Sequence, residues 1–111
     1  MPLLKLQVNT PVPQAKRAEI LAGASKLVAQ AIGKPEQYVM VAVEEGPILM
    51  SGKDGPAAFA DVRSIGGLNG SVNRAISQNL CVLLNKTLAI PASRVYVNFA
   101  DVSAGNWGHN G

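Results

Sequence analysis

Two distant segments of this chain follow one local plan. Pro35-Glu36-Gln37-Tyr38-Val39-Met40-Val41 lines up with Pro91-Ala92-Ser93-Arg94-Val95-Tyr96-Val97, and in each a proline stands shortly before a strand pattern begins. What precedes each segment also matches. Leu3 to Val8 places Leu3, Leu4, Leu6 and Val8 around Lys5 and Gln7, as a strand does. After Pro11-Val12-Pro13 the period becomes helical from Gln14 to about Ile32, with Ile20, Leu21, Ala24, Leu27, Val28 and Ala31 on one face. Gly33 is placed as a helix C-cap. In the second half Ala57 to Ile65 reads as a strand and Ser71 to Leu88 as a helix, whose buried face is marked by Val72, Ala75, Ile76, Leu80, Leu83, Leu84 and Leu88. The spacing thus predicts β-α-β twice, over strands at Tyr38–Val43 and Val95–Phe99 as well. Ile48-Leu49-Met50 is expected to be a short extra strand at best.

A β-α-β crossover is right-handed and sets its two strands parallel. The simplest product is an α/β (α+β) domain spanning residues 1–111, with one four-stranded mixed sheet and two helices on one face. Val39-Met40-Val41-Ala42-Val43 has no polar alternation, so both faces of that strand are expected to be buried. Two helices cover only one face. The bare face is therefore expected to pack against other copies in a closed ring of identical subunits.

Composition removes several function classes. Charged residues are 15% and hydrophobic residues 48% of 111, which argues against disorder. The net charge is +3, but the ten Lys and Arg are scattered, with Lys16-Arg17 the only adjacent pair. Nucleic-acid surfaces cluster their charge and add aromatic platforms, so a small anionic substrate fits better. Cys81, the only cysteine, supports neither a disulfide nor a thiolate metal site and is expected in the core. His109, the only histidine, is expected on the surface of a small-residue tail. No apolar run is long enough for a membrane span, and the start lacks a signal-peptide pattern. A cytoplasmic protein without cofactor or metal is the expectation, with leaderless export left open.

The most suggestive chemistry lies at the start, Met1-Pro2-Leu3-Leu4-Lys5. A small second residue permits removal of Met1, and the chain would then begin with a proline whose nitrogen is a secondary amine. An amine accepts a proton and an amide does not, so a retained Met1 would abolish the base. Burial and a nearby cation both lower an amine pKa, and a base tuned toward neutrality is effective. The Ser64–Gly70 stretch joins a strand to a helix start, where unpaired N–H groups favour an anion. It matches no nucleotide loop, and it is either a carboxylate cradle or a plain tight turn. Lys34 is either a capping charge or a ligand for an anion. Tyr96 and Asn98 point to one face of their strand and bond either a neighbouring backbone or a ligand.

Together these residues resemble the macrophage migration inhibitory factor family of the tautomerase superfamily. The resemblance runs through the Met-Pro start, Asn9-Thr10 with Val12-Pro13, Gly33-Lys34-Pro35-Glu36-Gln37-Tyr38, Ser64-Ile65-Gly66, Asn73-Arg74, and Pro91 to Phe99. It implies a homotrimer with the sheets around a central channel, and keto–enol tautomerisation of phenylpyruvate-like α-keto acids and dopachrome-like compounds. It also implies the roles. Pro2 is the acid/base catalyst. Lys34 and the Ile65 N–H, with Ser64 beside it, hold the substrate's carboxylate or carbonyl. Tyr38 walls the pocket, and Tyr96 and Asn98 arrive from a neighbouring subunit. No cofactor is implied. A protein receptor is the partner under the alternative, cytokine-like reading. The chain departs from the pattern in three places. Ala57 and Ala60 stand where many animal members have Cys-x-x-Cys, so thiol–disulfide chemistry is expected to be absent. The tail stops at Gly111 before the usual Ser-Thr-Phe ending. His109 stands where a tryptophan is often found, with Trp107 displaced by two. Fewer pocket aromatics imply weaker activity on aromatic substrates.

Overall fold

A computed structural model describes residues 1–111. The order is β1 (Leu3–Val8), α1 (Gln14–Ile32), β2 (Met40–Glu45), β3 (Ala58–Ser64), α2 (Gly70–Leu88) and β4 (Val95–Asp101). The strands lie in the order β2-β1-β3-β4. β1 runs parallel to β2, β3 parallel to β4, and the two halves meet antiparallel at β1 and β3. The duplicated plan is visible in detail. Each half enters its last strand through a 3-10 turn capped by a proline: Glu36–Tyr38 after Pro35 and Ala92–Arg94 after Pro91. Tyr38 therefore belongs to this turn, and β2 starts two residues later than the spacing suggests.

The alternation along the strands decides which face packs. Leu4, Leu6 and Val8 of β1 and Ala58, Ala60 and Val62 of β3 join Ile20, Leu27, Val28, Ile76, Leu80 and Leu84 of the helices in one apolar core. α1 ends at Gly33, whose φ of 76° is the left-handed conformation a C-cap needs. α2 begins at Asn69, whose side chain accepts from the Val72 N–H at 2.9 Å. No helix is long and apolar enough to cross a membrane.

The other sheet face is open in the single chain. Its register sets Lys5 beside Ala42 and Asp61, and Phe59 beside Tyr96. Met40 and Tyr96 are 66% and 67% exposed there. This corrects the expectation that β2 is buried on both faces: its inner residues Val41 and Val43 pack on the core, while Met40 and Ala42 have no layer above them. Cys81 is also half-buried rather than a core residue, because it lies one position past Leu80, at the edge of the face α2 buries. Burial still pushes its thiol pKa up.

The extra strand at Ile48-Leu49-Met50 does not form; only a single bridge joins Met50 to Lys53. Side chains take the carbonyls that a strand partner would need. Asn9 Nδ2 donates to Gly55 O at 2.8 Å and Ile48 O at 3.3 Å, while its Oδ1 accepts from the Ala57 N–H at 2.7 Å. Arg94 reaches Pro56 O and Lys53 O at 3.0 Å each and Met50 O at 3.3 Å. The β2–β3 connection is thus wrapped around one guanidinium. Arg94→Ala is expected to destabilise the chain by about 1–3 kcal/mol through the orphaned carbonyls. Hydrogen exchange should quicken at residues 50–57 first, and unchanged protection there would contradict this account.

Candidate active site

Pro2 opens β1, and its position follows from the sheet. Its carbonyl accepts from the Met40 N–H at 3.0 Å, one step before the ladder proper, and its ring is fully buried. A cavity of about 240 Å³ lies against it, walled by Leu3, Met40, Tyr38 and Trp107. Tyr38 is held by its turn, with its N–H donating to Pro35 O at 3.1 Å.

Lys34 follows the α1 cap, and its Nζ donates to the Ile65 carbonyl. The end of α1 and the loop after β3 are packed close at this point. A Cβ on Gly67, whose φ is +81°, would fall 2.6 Å from Ile32 Cγ2, so only glycine lets the loop approach. The Lys34 charge also acts on the chain's amine. That amine has a pKa held below its ordinary value, first by burial, then by the Lys34 charge and its hydrogen bond. Met1 carries the amine in this form, and the Pro2 nitrogen is an amide. Removal of Met1 transfers the amine to Pro2, deeper in the same wall.

In the loop after β3 the Gly66 N–H and the Ser64 hydroxyl are engaged. The Gly66 N–H donates to Asp101 Oδ1 at 2.9 Å, and the Ser64 hydroxyl, itself buried, donates to Gly66 O at 2.7 Å. The Ile65 N–H has no partner within the chain. Ser64 therefore shapes the loop and turns its side chain away from solvent, while Ile65 keeps a donor available. Tyr96 and Asn98 lie on the open face of β4, separated from β1 by β3, and neither lines the cavity. Within one chain the fold thus sets Pro2 and Tyr38 at one cavity, joins Lys34 to Ile65 outside its lining, and leaves Tyr96 and Asn98 apart.

Comparison with known proteins fits this geometry. The family model described as macrophage migration inhibitory factor matches residues 1–111. The chain belongs to the macrophage migration inhibitory factor family. It is 42% identical over 106 residues to the mouse protein of that name, covering 94% of this chain and 92% of the relative. It is 38% identical over 112 residues to a Trichuris trichiura homologue, covering 100% of this chain and 97% of the relative. The crystal structure of a macrophage migration inhibitory factor-like protein from Entamoeba histolytica superposes with a TM-score of 0.94 at 28% identity, covering 98% of this chain and 95% of that one. The family is part of the tautomerase superfamily.

Residues to which sequence reasoning assigned no site role also line the cavity. Trp107 and His109 line the cavity beside Pro2, and Met40 walls it from β2. A 3-10 turn at Ala104–Asn106, closed by the Trp107 N–H on Ala104 O at 3.2 Å, brings the tail back over the first strand. The signal available was modest: the only tryptophan and the only histidine stand two apart in an otherwise small-residue tail. Trp107 thus supplies an aromatic wall despite its displacement. Larger hollows of about 520 Å³ beside Cys81 and about 430 Å³ beside Asn9 are shallow surfaces. Neither holds an amine beside a cation, so the smaller one at Pro2 is the chemical candidate.

Proposed function

We propose that the chain is a keto–enol tautomerase of phenylpyruvate-like α-keto acids, acting as a homotrimer with the processed Pro2 amine as acid and base. The observation that supports this best is the fully buried Pro2 ring at the wall of a cavity beside an amine whose pKa burial and the Lys34 charge hold low. The neutral amine takes a proton from the carbon beside the keto group. The electron pair of that C–H bond forms the new C=C, and the carbonyl electrons move onto oxygen. The Lys34 ammonium and the Ile65 N–H stabilise this enolate and the carboxylate. Return of the proton from Pro2 to oxygen gives the enol, and the reverse sequence gives the ketone. Dopachrome-like compounds suit the same proton transfer.

The trimer is supported by the open sheet face, where Phe59 and Tyr96 stand 42% and 67% exposed side by side. In that assembly Tyr96 and Asn98 of a neighbouring copy complete the site. Ketonisation of enol-phenylpyruvate, followed by its ultraviolet decay, tests the reading. Processed protein should exceed the buffer rate, and no excess would sink it. The names of the mouse and Trichuris relatives favour a second reading, a cytokine-like interaction protein with vestigial activity and a protein receptor as partner. Receptor binding indifferent to Pro2 would belong to that reading.

A further inference from the structure

Asp101 closes β4 directly across the ladder from Ser64, so the end of β4 lies beside the loop that follows β3. Two hydrogen bonds tie them. The Val102 N–H donates to Ser64 O at 2.9 Å, and Asp101 Oδ1 accepts from the Gly66 N–H at 2.9 Å. The Ile65 carbonyl and the Gly66 N–H are the two ends of one planar peptide unit. Lys34 donates to its oxygen end and Asp101 accepts from its N–H end, so opposite charges hold it along its own dipole. The Gly66 carbonyl accepts in turn from the Ser64 hydroxyl at 2.7 Å. Of the backbone polar groups of Ile65 and Gly66, only the Ile65 N–H has no partner. Asp101 forms no ion pair, and the Gly66 N–H is its side chain's partner in the chain.

We propose that Asp101 is a positioning residue for the tautomerase site: by holding the Gly66 N–H it aims the adjoining Ile65 N–H at the substrate's carboxylate. The proposal rests on the tautomerase reading, in which that N–H and Lys34 take the carboxylate. The loop needs such a tie. Gly66 and Gly67 follow one another at φ +71° and +81°, and glycine has little preference of its own to keep one conformation. Without Asp101 the Ile65–Gly66 peptide keeps its Lys34 bond alone and turns about it. Asp101 acts as a hydrogen-bond acceptor and not through its charge, since a negative charge near a carboxylate weakens binding.

The experiment compares processed wild type with Asp101→Ala and Asp101→Asn in the ketonisation of enol-phenylpyruvate. Asp101→Ala should raise KM roughly tenfold, the scale of one hydrogen bond to a charged group, with kcat little changed. Asp101→Asn keeps the acceptor oxygen and drops the charge, so its KM should stay at the wild-type value or fall below it. A merely structural role would shrink the folded fraction, which lowers the apparent kcat and leaves KM where it was. An unchanged KM in Asp101→Ala, or an equal rise in Asp101→Asn, would overturn the proposal. Amide NMR with phenylpyruvate as the probe distinguishes a failure of the tautomerase reading. The Ile65 amide resonance of wild type should move on titration, and Asp101→Ala alone of the three proteins should bind more weakly. That result without turnover would contradict only the enzyme reading. An Ile65 amide that ignores the probe in wild type, or a different order of affinities, would overturn the positioning role.

Discussion

Replacing Pro2 by glycine is expected to lower kcat/KM for enol-phenylpyruvate by about 10²- to 10⁴-fold, the usual contribution of a positioned general base. Glycine still permits removal of Met1, so an amine survives, but a primary one on a backbone no ring holds. The proline ring is fully buried and pinned through its carbonyl to Met40. The glycine variant therefore loses position as well as basicity. It also opens a small void, so a second variant separates chemistry from packing. An alanine inserted between Met1 and Pro2 keeps the ring and makes its nitrogen an amide. Both variants should fall together while circular dichroism stays native. Wild-type rates in either would remove Pro2 from the mechanism.

Leu80→Ala is expected to destabilise the chain by about 2–5 kcal/mol, the range for emptying a leucine site in a packed core. Leu80 is fully buried on α2, within the same cluster as Leu4, Leu6 and Val62 of the sheet. Aromatic side chains are absent from the fully buried set, so aliphatic neighbours such as Ile76 and Leu84 must close the gap. In a domain this small that loss lowers Tm by roughly 10–20 °C. Urea unfolding should show the midpoint fall with little change in slope. A shift below about 1 kcal/mol would mean the core relaxes around the void.

The two helices and four strands were legible because periodicity reports burial, and burial decided them. The repeat at Pro35 and Pro91 even marked the paired 3-10 turns. What failed was where side chains rather than strands satisfy the backbone. Ile48-Leu49-Met50 looks extended, yet Asn9 and Arg94, remote in sequence, hold the carbonyls around it. The exposure of Met40 has a different cause: its side chain stands on the sheet face that the two helices leave open. At the candidate site Pro2 stood out by chemistry and Lys34 through the family resemblance, and the Lys34 charge acts on the amine that Met1 carries. Trp107 and His109 did not, because a tail of glycine, asparagine and alanine carries no period to say where it returns. Ser64 was included for its neighbours, and its buried hydroxyl serves the loop.

The central claim is that a free Pro2 amine is neutral near physiological pH. Nitrogen NMR of processed protein labelled at proline follows that amine directly through a pH titration. Burial and Lys34 already depress the amine that Met1 carries here, and both act in the same direction on its successor. The account predicts a single titration well below the ordinary secondary-amine range. A Lys34→Ala variant should titrate higher, and kcat/KM should rise with pH through the same inflection in each protein. An amine that stays protonated up to the ordinary range, or that ignores Lys34, would leave no base at neutral pH and contradict the account.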